Sequence, residues 1–164
     1  MFRIIAIVAM AAAAPSAFPP DEMARWQVSS TPPRPLEAYI RNTAGEEFGL
    51  VCTDTCKYMI SIALTCKEGA AIPAIVNSEA DAPAIGLTCG HSGAYSTLEL
   101  SDMDIERLLV GGNIAFALPT ASEPIHVSRF SLVGARDAIA SVRTQWKQAH
   151  AGEGTSETNL MVTP

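Results

Sequence analysis

The chain has 164 residues, a length that suggests one domain and allows a sizeable core. Hydrophobic residues make up 48% and charged residues 17%, which excludes a largely disordered chain. A formal net charge of −6 with no basic stripe excludes a nucleic-acid binder of the usual kind.

Met1-Phe2-Arg3 leads into IIAIVAMAAAA, an apolar run of eleven from Ile4 to Ala14. That is too short to span a bilayer and matches the apolar part of a signal peptide. Small residues at Ala14, Ser16 and Ala17 suit cleavage after Ser16 or Ala17, so 1–17 reads as a signal peptide. No other apolar run approaches ~20 residues, so no membrane span is expected after cleavage. Export, to a periplasmic or extracellular destination, would carry all four cysteines into an oxidising compartment.

Residues 18–35 form a proline-rich, extended lead-in, in which only Trp26-Gln27-Val28 can pair, at an edge. Short strands are then predicted at 36–42, 47–52, 57–66, 71–77, 84–89, 94–100, 113–118 and 124–132. Turn signals separate them at Ala44-Gly45, Thr53-Asp54-Thr55, Asp81-Ala82-Pro83 and 91–93. The expected fold over 36–150 is mainly β: an antiparallel β-sandwich with a short inserted helix and a packed C-terminal helix. The inserted helix is SDMDIERLLVGG, with Ser101 as N-cap and Gly111-Gly112 as stop. Its acidic residues Asp102, Asp104 and Glu106 suit a helix N-terminus for dipole reasons, and no calcium-loop pattern accompanies them. The second helix covers 135–149, where Ala135, Ile139, Val142 and Trp146 recur at helical spacing and predict docking onto the sheet. The tail, 151–164, has too little apolar content to fold.

The phrase IALTC ends at Cys66 and the near-repeat IGLTC ends at Cys89. Strand alternation puts Tyr58, Ile60, Ile62, Leu64 and Cys66 on one face, and Ile85, Leu87 and Cys89 likewise. Two strands presenting cysteine to one core predict a Cys66–Cys89 disulfide, formed between strands facing across the sandwich. Cys52 and Cys56 flank a three-residue hairpin tip and predict a second disulfide. Linking Cys56 to Cys66 would join two ends of one strand, about 30 Å apart. Zinc is the sharp alternative, with Cys52, Cys56, Cys66, Cys89 and His91 as ligands, but the spacing C-x3-C-x9-C-x22-C-x-H fits no established pattern. No metal and no cofactor is therefore expected.

A candidate polar site comprises His91 and Ser92 in a Gly-His-Ser-Gly turn and His126 on a strand. No G-x-S-x-G elbow, G-x-G-x-x-G or phosphate-binding loop occurs, so no catalytic residue is assigned.

The leader, Trp26-Gln27-Val28, the cysteine-bearing strands and the closing HVSRFSLVGARDAIASV (126–142) resemble the invasion-associated locus B family. These are secreted or periplasmic proteobacterial proteins with a β-sandwich-like body. The likeness is carried by roughly the last third of the chain, where Ser131-Leu132, the Gly134 turn and Ala138-Ile139 occupy the family's strand end, turn and final helix. No cysteine follows Val28, and Ala135 stands where the family has an aromatic residue. The resemblance implies compartment and fold, and transfers no catalytic residue. The function expected is that of an exported, non-enzymatic binding or accessory protein of the cell envelope, with an envelope protein or a small apolar ligand as partner. Two alternatives stand beside it: an envelope hydrolase using His91 with a nearby serine, and a carrier with an apolar pocket between the sheets.

Overall fold

The computed structural model describes residues 25–30, 35–92, 95–100, 105–119 and 125–151, with backbone alone at 91, 92 and 95. The expected signal peptide, most of the proline-rich lead-in, the Ser101 cap with Asp102 and Asp104, and the tail from 152 lie outside the described residues. Among the described residues there are nine strands: β1 (Gln27–Ser29), β2 (Leu36–Arg41), β3 (Glu47–Cys52), β4 (Cys56–Ile62), β5 (Ala71–Ser78), β6 (Ala84–Ser92), β7 (Tyr95–Leu100), β8 (Asn113–Leu118) and β9 (His126–Ser131). The helix α1 (Ala135–His150) follows them, and Ile105 and Glu106 are helical before β8.

All pairings are antiparallel, in the order β1-β2-β3-β4-β7-β6-β5-β8-β9. The hydrogen bonding therefore runs through one open sheet instead of dividing into the two sheets expected of a sandwich. Two overlapping Greek keys set this order: β7 returns beside β4, and β8 returns beside β5. Both returns pull distant segments together and curl the sheet around its apolar face.

Alternation builds that face. Phe48, Leu50 and Cys52 point inward from β3, Tyr58, Ile60 and Ile62 from β4, and Ile114, Phe116 and Leu118 from β8, all buried. Curling brings β3 opposite β8 and β9, where the Phe48 ring lies 5.2 Å from Phe116 and 5.6 Å from Phe130. Tyr58 stacks on the same ring at 6.2 Å, and Trp26 meets it edge-on at 5.9 Å. The Trp26 indole N–H donates to the Ser131 carbonyl at 2.9 Å, tying the start of the sheet to its last strand.

Helix α1 begins after Gly134, whose φ of 85° turns the chain off β9, and it packs on β1, β2 and β3. Ala135, Ile139 and Val142 are buried there, as the stripe predicts. Trp146 is only half-buried: its N–H donates to Thr53 O at 2.6 Å, holding the β3–β4 hairpin tip. Glu106, grouped by sequence with an acidic cluster, instead anchors this region. It accepts from Tyr58 OH at 2.9 Å and pairs with Arg143 at 2.5 Å.

Both predicted disulfides are present. Cys52 and Cys56 are direct register partners with Cα atoms 4.0 Å apart. Cys66 and Cys89 are 6.3 Å apart at Cα, but not for the reason the sequence suggested. β4 stops at Ile62, so LTC leaves the sheet, and β7 lies between β4 and β6. The departing segment passes over β7, where Ser96 Oγ donates to Leu64 O, and reaches β6. There Gly69 N donates to Cys89 O at 2.7 Å, and Cys89 N to Ala70 O at 2.9 Å. The bridge pins a crossover to a strand, not one sheet to another.

Candidate binding site

The face turned away from the core carries a groove. On its β2–β3–β4 part, pairing sets Tyr39 beside Gly49 and Gly49 beside Met59. A methyl group added at Gly49 would lie 2.2 Å from Ala38 O and 2.7 Å from Tyr39 Cα, so β3 presses against β2 in a way only glycine allows. Gly49 lines a groove of about 690 Å³, walled by Tyr39, Arg41, Glu47, Met59, Ser61 and Thr97 among others. The Tyr39 hydroxyl donates to Gln27 Oε1 at 2.8 Å, which holds the ring. Arg41 donates from Nε to Glu47 Oε1 at 2.9 Å, and from Nη2 to the same oxygen. A second hollow of about 450 Å³ continues on the same face, bordered by Thr88, Gly86 and the Lys57–Glu99 ion pair at 2.8 Å.

The sequence-predicted polar residues are not gathered there. His91 and Ser92 belong to β6, paired with Ser96 and Tyr95, so their backbone is strand and not the turn expected. Their side chains lie outside the described residues. His126 opens β9, three strand positions from β6, so the sheet does not set it beside His91. The four cysteines offered as zinc ligands are consumed by the disulfides.

His126 instead joins a residue that sequence reasoning passed over. Glu46, only 8% exposed, sits in the β2–β3 turn, where its backbone N–H donates to Asn42 Oδ1 at 3.0 Å. Its carboxylate accepts from Asn42 Nδ2 at 2.7 Å and meets His126 Nε2 at 2.5 Å. Ser128 Oγ, fully buried nearby, makes no hydrogen bond of ordinary geometry. Desolvation pushes the Glu46 carboxyl up, but Asn42, His126 and the neighbouring Ser128 hydroxyl, with the His126 charge, together hold it below the usual carboxylate range.

A lowered folded-state pKa stabilises the fold above the unfolded value of about 4.3 and loses that contribution as pH falls through the folded value. Glu46→Gln should therefore lower the denaturant midpoint at neutral pH and flatten its decline in acid. A variant whose midpoint tracks the parent chain at every pH would show that the clasp contributes nothing. The pair lies 80 residues apart in sequence, so only the motif Asn42-x-x-Gly45-Glu46, with Gly45 at φ 81°, hinted at a built turn.

In the groove Arg41 pairs with Glu47, Glu37 adds a second carboxylate, and none of the described lining residues is a histidine or cysteine. No helix among the described residues is long and apolar enough to cross a membrane. Comparison with protein-family models, with curated proteins and with solved structures finds no match to this chain.

Proposed function

We propose that the chain is an exported, disulfide-stabilised, non-enzymatic binding or accessory protein of the cell envelope, its curled sheet acting as a sandwich-like scaffold. The outer-face groove over Gly49 is the observation that carries this reading. Strand glycines cost stability, and one that draws two strands together and lines a polar hollow suits a ligand's close approach. The two disulfides fit an oxidising compartment. The resemblance of 126–142 to the invasion-associated locus B family points to the same compartment. An apolar carrier is less well supported, because Phe48, Tyr58, Phe116 and Phe130 fill the interior where its ligand would sit.

The test is amide-resolved NMR of the mature chain titrated with a soluble small-molecule extract of the envelope. Shifts should concentrate at Tyr39, Met59 and Thr97 and should disappear in Ser61→Trp, which fills the groove from its solvent side. Shifts confined to His126 or to residues flanking His91 would overturn the groove reading and favour the hydrolase.

A further inference from the structure

The two hollows lie side by side on one face, Met59 of the first being the register partner of Glu99 of the second. Register places Tyr39, Gly49, Met59, Glu99 and Thr88 side by side on five consecutive strands, from β2 to β6. At ~4.8 Å per strand the row is about 19 Å long and runs across the strands. We propose that this row binds a neutral glycan chain, laid across the sheet from Tyr39 to Gly86. The inference rests on the reading of this face as the ligand site and names its ligand class.

Four observations select that chemistry. First, β3, β4, β7 and β6 are each paired on both sides, so this face has no free edge to accept the backbone of an extended peptide. Recognition must come from side chains. Second, the charges include two internal pairs, Arg41 with Glu47 and Lys57 with Glu99, alongside the Glu37 carboxylate. Such pairs hold donors and acceptors in place without presenting net charge, and the chain as a whole is at −6, which repels polyanions. A sugar hydroxyl both donates and accepts, so it suits a surface carrying both kinds of group. Third, Tyr39 offers a ring held by its own hydroxyl bond, on which the C–H face of a pyranose can lie.

The fourth observation is Gly86. It lies within β6 with no positive φ, and a Cβ placed there would meet nothing within 4 Å. Glycine inside a strand costs stability relative to residues with a side chain. Unlike Gly49, Gly86 has no steric reason within the fold. A ligand resting on that spot supplies one.

The experiment is NMR titration of the mature, oxidised chain with maltotetraose, cellotetraose and chitotetraose at millimolar concentration, with tetralysine and tetraalanine as peptide probes. At least one saccharide should shift the row from Tyr39 to Thr88. Gly86→Thr should weaken that saccharide about tenfold or more while leaving the denaturant midpoint unchanged or raised, because threonine favours strands. Tyr39→Ala should weaken it as well. Saccharide binding that is indifferent to Gly86→Thr, or that maps elsewhere, overturns the proposal. If only a peptide probe shifts the row, the glycan assignment falls and the groove reading stands. If no probe shifts it, both fall.

Discussion

Phe48→Ala is expected to lower the unfolding free energy by about 3–5 kcal/mol, the usual range for truncating a buried phenylalanine. The upper end applies here, because the ring is fully buried and meets Trp26, Tyr58, Phe116 and Phe130 within 6.2 Å. Each well-placed aromatic pair adds roughly 0.5–1.5 kcal/mol beyond area burial. The cavity would open where β3 faces β8 and β9, so neither side can relax without uncurling the sheet. Against a typical domain stability of about 5–15 kcal/mol, the variant should be marginal. Denaturant unfolding followed by tryptophan fluorescence checks this, since Trp26 reports on the same cluster. Ile75→Ala is the control: its side chain is 54% exposed on β5, and its loss should shift stability by no more than about 0.5 kcal/mol. Similar midpoints for the two variants would show that the aromatic cluster does not hold the curl together.

The second large effect concerns the disulfides, which should not be equivalent. Chain-entropy reasoning assigns the Cys66–Cys89 bridge, with a sequence separation of 23, about 3.4 kcal/mol. The same reasoning gives the Cys52–Cys56 bridge, with a separation of 4, about 1.9 kcal/mol, and the hairpin pairing around it already supplies part of that constraint. Cys66→Ala/Cys89→Ala should therefore lower the denaturant midpoint clearly more than Cys52→Ala/Cys56→Ala. Structure reinforces the ranking. The first bridge fastens an irregular crossover that has few other ties, whereas the second duplicates a ladder already in register. Equal losses, or the reverse order, would mean that the crossover is held by its hydrogen bonds to Cys89 and Ser96 alone.

Strand positions and the buried face were legible because alternation is a local property. Tyr58, Ile60 and Ile62 were read as inward-facing and are buried, as are Leu87 and Cys89. The same rule overran the end of β4, since Leu64 and Cys66 continue the alternation after the strand has left the sheet. A side chain can keep facing the core while its backbone stops pairing, and periodicity does not distinguish the two. Sheet order was not legible either: the return of β7 to β4 depends on which edges remain free once the hairpins form. The groove depends on that order, because Ser61 on β4 and Thr97 on β7 are 36 residues apart in sequence and meet only through the return of β7. Cysteine pairing was recovered in full, since compartment and spacing leave few choices. The clasp between Glu46 and His126 was not, because 80 residues separate its partners.

The hydrogen bond from Trp26 to Ser131 spans 105 residues. A chain in which Trp26 must wait for β9 cannot finish folding while it is still emerging, in whichever compartment it emerges. Until β9 arrives, the Trp26 N–H lacks its Ser131 acceptor and the Phe48 ring lacks Phe130. Topologies built on such distant contacts close slowly, on the order of milliseconds to seconds. Under the export proposed above, such a delay would keep the chain unfolded for transport.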